Sequence, residues 1–235
     1  MHSSEIRRYQ KGMWEDVTTE ATARELMGFL LREGIIPNNK GIIRVLDASA
    51  NRYSPFLALP KQLSPSITMQ LTMLDIAYVD KKGRYTDLFC HARDAQINSE
   101  VDNVTIIGGD FLETWFTNPF DIIWDRLGAG YYNARNKRTI IKYLQHAHCL
   151  LSPGGVLLID AFYMEDINDR GFWNGFYNMS STAKKFIDQF DHNVDTFCAF
   201  ACQQDFSFSF ARSNLGFPQE AIDGRLGVLR KVSEY

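Results

Sequence analysis

The chain has 235 residues, of which 45% are hydrophobic and 23% are charged, and its formal net charge is -3. This composition is that of a globular protein and excludes an intrinsically disordered chain. The slightly acidic balance provides no attraction to nucleic acid or to an anionic membrane surface, so neither is expected as a partner. No apolar stretch approaches the roughly 18 residues that a membrane span requires.

The N-terminus and the cysteines bear on location and organisation. Residues 1–5 lack the apolar segment of a secretory signal peptide. The four cysteines lack the spacing of a disulfide framework, and reduced thiols are the default in the cytosol, so the sequence predicts a cytoplasmic protein. No Pro/Gly/Ser-rich linker divides the chain, which predicts a single domain over residues 1–235.

The first predicted element is a helix over residues 17–33, where apolar residues recur at helical spacing and Gly34 and Pro37 provide the stop. We assign residues 1–40 to an N-terminal helical segment. Five short apolar runs then predict strands, and the last three are typical of strands buried on both faces. A helix over Lys137–Leu151 precedes the last of them. The five predicted strands are Ile42–Leu46, Thr68–Leu74, Val104–Ile107, Phe120–Trp124 and Val156–Ile159.

The C-terminal part of the chain changes character. Residues 181–190 have the pattern of a helix, residues 205–212 alternate between phenylalanine and serine as a two-faced strand does, and residues 224–232 predict another strand. Parallel β-α units followed by a terminal antiparallel pair predict an α/β fold. Its sheet would be doubly wound, mostly parallel and seven-stranded, with helices on both faces and a C-terminal antiparallel hairpin at the edge.

In this order, the motifs resemble those of the class I S-adenosylmethionine-dependent methyltransferases, which have a Rossmann-like fold. The resemblance is carried by VLDASANRYS, TMLDIA, GGDFLE, FDIIWDR and LLSPGGVLLI, within about residues 41–160. The Trp-Asp-Arg of the fourth motif is similar to the thiopurine methyltransferase branch. The resemblance implies an N-terminal helical lid segment over 1–40, a cofactor-binding core over 41–160, and a lid loop, helix and terminal strand pair over 161–235. It also implies S-adenosylmethionine as cofactor and a small molecule as methyl acceptor.

Four acids follow the predicted strands, where ligands bind in an open α/β sheet. The resemblance implies that Asp47 helps to hold the methionine end of the cofactor, that Asp75 accepts the ribose hydroxyls and that Asp110 meets the adenine. Ile76 belongs to the same predicted cofactor site, and Phe111 would lie along the adenine ring.

These assignments have structural alternatives. Asp47 also suits a turn or a helix cap, and Asp110 suits a helix N-cap for the residues that follow it. Asp80 is a rival of Asp75 for the ribose, although it lies past the apolar run. The spacing from Asp47 to Asp75 exceeds the roughly 20 residues of the dinucleotide fingerprint. The excess lies in LALPKQLSPS, which contains two prolines, so any helix there must be short or broken.

The fourth acid, Asp125, is followed by Arg126, and in the family this position faces the transferable methyl group. We predict the two as the catalytic residues. Arg126 would hold either an acidic group of the substrate or the carboxylate of the cofactor, because its planar guanidinium suits a carboxylate. A structural Asp–Arg pair is the alternative. Trp14 is predicted to stack on the adenine or the sulfonium. Core packing is the alternative for each aromatic residue, including the three predicted to line the substrate side: Tyr131, Tyr132 and Trp173.

The chain departs from the family in its glycine motif. Where the family has Asp-x-Gly-x-Gly-x-Gly, this chain has Asp47-Ala48-Ser49-Ala50-Asn51-Arg52-Tyr53. Ser49 is small and Asn51 tolerates a left-handed backbone, so we assign both to the cofactor site. The side chain of Tyr53 must either leave the pocket or occupy it.

Two hypotheses from different classes follow. The chain is either a working methyltransferase or a catalytically inactive relative that acts as a binding or scaffolding partner. In the second case Tyr53 or Arg52 blocks the pocket, and the chain pairs with another protein or with a second copy of itself. Four aligned acids favour the enzyme. A dinucleotide-dependent oxidoreductase is disfavoured because its fingerprint is matched even less well. No metal site is predicted, because His146 and His148 lie two apart on one helix and point to different faces.

Overall fold

The structure is a computed structural model. It describes residues 27–36, 41–50, 54–58, 63, 66–99, 101, 103–125, 136–160, 189–190, 194–212 and 225–232. The strands are β1 (Ile42–Asp47), β2 (Thr68–Asp75), β3 (Asn103–Gly108), β4 (Phe120–Asp125), β5 (Leu151–Asp160), β6 (Phe206–Arg212) and β7 (Arg225–Lys231). The helices are α1 (residues 27–32), α2 (Asp87–Ile97), α3 (Lys137–Leu150) and α4 (Val194–Cys202), with 3₁₀ turns at Pro55–Ala58 and Ile76–Tyr78.

The strands form one seven-stranded sheet in the order β3-β2-β1-β4-β5-β7-β6. The pairs from β3 through β5 are parallel, whereas β7 pairs antiparallel with both β5 and β6. This architecture confirms the predicted fold class, including the C-terminal hairpin at the edge. Within the described ranges, no helix has the length and apolar character needed to cross a membrane.

A hydrophobic core lies on each face of the sheet. One core joins β-strand residues to α3, α4 and the segment after β3, and the other joins them to α1, α2 and the first 3₁₀ turn. Alternate residues of β1, β4 and β5 point to opposite cores, as the two-residue repeat of a strand requires. Leu46, Ile123 and Leu157 face the first core, and Val45, Ile122 and Leu158 face the second.

The five strand predictions from Ile42 to Ile159 are confirmed in place, with two physical differences. β3 was expected to be buried on both faces, but its residues are half-buried or exposed because β2 is its one neighbour in the sheet. β5 begins early, at Leu151, and the predicted turn lies inside it as an irregularity of the pairing with β4. Gly154 has a positive φ of 72° there, a conformation that favours glycine.

The predicted helix over 137–151 is confirmed as α3. The Asn136 side chain caps it by accepting from the main-chain N–H of Thr139. The Thr139 hydroxyl oxygen in turn accepts from the main-chain N–H of Asn136, which completes a capping box. The predicted helix over 17–33 is confirmed in its described part, α1. The predicted helix over 181–190 lies outside the described residues except for its last two positions. α2 and α4 were not predicted.

Candidate functional site

The order of the sheet reverses between β1 and β4, and both strands end in a buried aspartate. Asp47 is 2% exposed and Asp125 is 1% exposed. Asp47 lies in register with Trp124, so the two acids end neighbouring strands at the same edge of the sheet. In open α/β sheets the crevice at such a reversal is where ligands bind.

The turn after β1 is held on both sides by main-chain hydrogen bonds. The Ala48 N–H donates to the carbonyl of Trp124 at 2.8 Å, and the Ala50 N–H donates to the carbonyl of Leu74 at 3.2 Å. Both alanines are buried. The turn that lacks the family's glycines is therefore built from small side chains and is anchored to β4 and β2.

The carboxylate of Asp125 is fixed by two hydroxyl groups. The Ser49 hydroxyl donates to Oδ1 at 3.1 Å, and the Tyr143 hydroxyl donates to Oδ2 at 2.5 Å. Hydrogen bonds to a carboxylate are shorter and stronger than neutral ones. Tyr143 comes from the buried face of α3, and the sequence did not identify it. The available signal was the tyrosine itself, because a buried Tyr hydroxyl usually finds a partner.

Burial raises the pKa of Asp47 from 3.8 to about 7. Hydrogen bonds from the Ser54 side chain and the Ser49 main chain oppose this shift, while the negative charges of Asp75 and Asp125 add to it. The three acids thus share one electrostatic field at the carboxyl edge of the sheet. A titratable group held so far from its ordinary pKa at the carboxyl edge of such a sheet is a functional-site candidate.

Asp75 ends β2 half-buried, and its carboxylate accepts from the main-chain N–H of Ala77 at 2.8 Å. Ile76 follows and is 63% exposed. The rival acid, Asp80, lies at the tip of the following hairpin. It forms a salt bridge with Arg84 at 2.7 Å, and hydrogen bonds from Arg84 lower its pKa.

The segment after β3 gives two predicted residues structural roles. The Asp110 carboxylate accepts from the Leu112 N–H at 2.9 Å, so it caps the segment, which is a turn and not the helix that the alternative assumed. Phe111 is 2% exposed and its ring contacts Tyr143 and His146, with centroids 5.5 and 5.1 Å apart. The ring of Phe111 therefore belongs to the core of this structure, and its contact with an adenine ring stays a prediction.

Glycines bring β3 close to its neighbour. The Gly109 N–H donates to the carbonyl of Asp75 at 3.2 Å, and a Cβ on Gly108 would approach Val79 Cγ1 to 2.6 Å. The close packing of Gly108 against Val79 therefore explains why this position holds glycine. The hydrogen bond from Gly109 to Asp75 holds the start of the Asp110 turn next to the end of β2.

Several predicted site residues lie outside the described residues: Trp14, Asn51, Arg126, Tyr131, Tyr132 and Trp173, together with Arg52 and Tyr53. The tryptophan of the Trp-Asp-Arg motif is described. Trp124 is buried and meets Phe56 edge to face at 5.7 Å, so it supports the second core.

The two histidines of α3 point apart, as their spacing predicts. The ring of His146 lies against Phe111 and Trp115, whereas the ring of His148 lies against Phe206. Burial lowers the pKa of His146, whose Nε2 lies 3.1 Å from the Thr114 carbonyl oxygen. Across the described part of the chain, no three His, Cys, Asp or Glu side chains come together as metal ligands would.

Comparison with solved structures identifies proteins of the same fold. The mitomycin 7-O-methyltransferase MmcR has a TM-score of 0.62 at 14% identity, over 98% of this chain and 59% of its own. The S-adenosylmethionine-dependent methyltransferase SibL has a TM-score of 0.54 at 12% identity, over 89% of this chain and 57% of its own. The N-methyltransferase NodS from Bradyrhizobium japonicum has a TM-score of 0.51 at 15% identity, over 91% of this chain and 98% of its own.

At these identities the likeness establishes the fold and nothing finer. The chain spans less than two thirds of the length of MmcR and SibL, so each of them has a large part without a counterpart here. No protein-family model and no curated protein sequence matches the chain.

Proposed function

We propose that this chain transfers a methyl group from S-adenosylmethionine to a small-molecule acceptor. One observation carries the proposal: Asp47, Asp75 and Asp125 converge where the sheet order reverses, and two of them are buried. Such a negative crevice favours a cationic ligand, and S-adenosylmethionine carries a sulfonium and an ammonium group. The methyltransferases that share the fold support this choice over other cations.

Asp75 and Ile76 form the proposed nucleoside half of the site. Asp75 is half-buried at the end of β2, where its carboxylate is oriented by the Ala77 N–H and can accept ribose hydroxyls. The exposed Ile76 beside it offers an apolar surface to a flat base. Asp110 stays a weaker member of this half, because one of its oxygens already caps the following turn.

Asp47, Ser49 and Asp125 form the proposed methionine half. When bound, S-adenosylmethionine supplies an electrophilic methyl group. The buried carboxylates stabilise positive charge, and the Tyr143 and Ser49 hydroxyls hold Asp125 in one orientation. Methyl transfer needs chiefly alignment of the acceptor with the methyl group, so a fixed Asp125 would act by orienting the acceptor or accepting its proton.

The finer predictions belong to the same proposal. Asn51 and Trp14 complete the cofactor site, and Arg126 joins Asp125 as a catalytic residue. The substrate side is lined by Tyr131, Tyr132 and Trp173. A thiopurine-type branch, a cytoplasmic location and one domain over the whole chain are proposed on the motifs and composition alone.

Calorimetry with S-adenosylmethionine and S-adenosylhomocysteine tests the proposal, and two aspartate variants provide the contrast. Asp75→Ala should weaken binding of both ligands by roughly 10- to 100-fold, the effect of losing hydrogen bonds to a charged group. Asp80→Ala is the matched control and should bind as the unsubstituted protein does, because Asp80 is engaged by Arg84 at a hairpin tip.

If millimolar ligand gives no heat of binding and no rise in melting temperature, the methyltransferase proposal is overturned and the scaffolding alternative is favoured. Equal affinity in Asp75→Ala would reject the ribose assignment and leave binding itself intact.

A further inference from the structure

A depression lies on the face of the sheet, over the amino-terminal parts of β1, β2 and β3. Its volume is about 480 Å³, within the roughly 300–1,000 Å³ usual for small-molecule sites. Arg44 and Gln70 are in register on neighbouring strands, and Gln70 is in register with Asn103, so their side chains form one polar row. The depression is remote from the carboxyl edge, where the strands end in Asp47 and Asp75.

The lining of this depression is polar and carries a positive charge. The row of Arg44, Gln70 and Asn103 is joined by Thr72 and Thr105 from the strands and by Asn118 from the connection to β4. None of the described residues that line it has a carboxylate. An anion would therefore meet a guanidinium and several amide and hydroxyl donors among the described lining residues.

Arg44 is unusual for its position in the chain. It lies in the middle of β1, which has a strand on each side, within an otherwise apolar run. Its main-chain N–H donates to Asp121 Oδ2 at 2.9 Å, and its Nε donates to Gln70 Oε1 at 3.1 Å. The nearby Asp121 carboxylate is also bound through Oδ1 by the Ser152 hydroxyl at 2.8 Å.

These contacts orient Arg44 and leave donors facing the depression. Because Arg44 Nε can only donate, the Gln70 amide must present its oxygen to it and its NH₂ group elsewhere. Among the described residues, the two terminal nitrogens of Arg44 have no hydrogen-bond or ion-pair partner, although the side chain is half-buried. A guanidinium fixed through Nε with its terminal nitrogens available suits a group with two oxygens on one centre.

We propose that this depression is a second binding site for a small anion. The guanidinium of Arg44 would bind the carboxylate or phosphate group of that anion. It is independent of the methyl-transfer proposal, because neither its residues nor its ligand belongs to the carboxyl edge. The two anion classes share the chemistry that Arg44 recognises, and the experiment separates them.

NMR titration with inorganic phosphate and with malonate, each against sodium chloride at equal ionic strength, tests the site. The site predicts saturable shifts of the Arg44 Nε–H signal and of the main-chain amides of Gln70, Thr105 and Asn118. The probe that saturates at the lower concentration identifies the class of anion. Shifts for neither probe up to high millimolar concentration, or shifts spread evenly over surface lysines and arginines, would overturn the proposal.

Two variants locate the effect. Arg44→Gln should weaken binding by about tenfold or more, whereas Arg93→Gln, which removes the same charge from the exposed face of α2, should leave it unchanged. Asn103→Asp keeps Arg44 and adds a negative charge on an exposed position of the edge strand, so it should weaken binding even if Arg44→Gln folds poorly. Unchanged affinity in Asn103→Asp, or an equal loss in Arg93→Gln, would overturn the site.

Discussion

Replacing Asp47 by asparagine should stabilise the protein at alkaline pH, because the buried carboxylate is held at a cost to folding. Its pKa is about 7 in the fold and 3.8 ordinarily. Between these two values the folded protein keeps a proton that the unfolded chain has released, so the free energy of unfolding falls as pH rises and is level above about 7. Three pKa units correspond to ~4 kcal/mol.

Asparagine at position 47 removes that pH dependence, but it has one hydrogen-bond acceptor oxygen fewer than aspartate. Ser54 and the Ser49 main chain both hydrogen-bond to the Asp47 carboxylate, and one amide oxygen replaces two carboxylate oxygens. Subtracting about 1–2 kcal/mol for the lost acceptor leaves a gain of ~2–3 kcal/mol at about pH 8. Near the ordinary pKa of the acid the gain disappears, and the variant is then as stable as the unsubstituted protein or slightly less so.

Urea unfolding at several pH values between about 4 and 8 measures this difference. Asp94→Asn, on the exposed surface of α2, is the matched control and should change stability little at any pH. A variant that is less stable at alkaline pH, or a gain that does not grow with pH, would refute the reasoning about Asp47.

Three further predictions concern the same edge and its support. Affinity for S-adenosylmethionine should fall by about tenfold for each pH unit below 7, because Asp47 must lose a proton to favour the cation, and calorimetry of Asp47→Asn should show a flat profile. Tyr143→Phe should lower the free energy of unfolding by about 1–3 kcal/mol in urea and weaken cofactor binding, since it removes a donor to Asp125. Gly155→Ala should lower thermal stability markedly, because its Cβ would lie 2.9 Å from a main-chain oxygen, whereas Gly41→Ala meets nothing within 4 Å.

Each of these predictions has a clear contrary result. A pH-independent affinity in the unsubstituted protein would remove Asp47 from the cofactor site. A Tyr143→Phe variant with unchanged stability and binding would show that this hydroxyl does not hold Asp125. Equal melting temperatures for the two glycine variants would contradict the crowding at Gly155.

The strands from β1 to β5 could be predicted because each is an apolar run that ends at a turn or an acid. α2 could not, because Ala92 is its one fully buried residue among those described and its apolar stripe is narrow. α4 is a nine-residue helix whose apolar residues are not confined to one stripe. The exposure of β3 depends on its place at the sheet edge, which only the strand order reveals.

The acids of the site could be predicted because each follows a strand, and parallel strands bring their carboxyl ends to one edge. The side chains that hold them could not. Tyr143 lies 18 residues after Asp125, at a helix position whose spacing indicates core packing. Phe111 occupies the motif position that resembles an adenine contact, yet the turn capped by Asp110 directs its ring inward. Motif position sets which residue follows a strand end, whereas the local turn sets where its side chain points.

Photolabelling with 8-azido-S-adenosylmethionine, followed by tryptic peptide mapping, tests the central claim most directly, because it reports both binding and place. We predict that the label is recovered on the peptide of residues 62–81, which contains Asp75 and Ile76, and that excess S-adenosylhomocysteine prevents it. Label that the competitor does not displace, or that falls mainly on the β6–β7 hairpin, would contradict a cofactor site at the carboxyl edge of β1, β2 and β4.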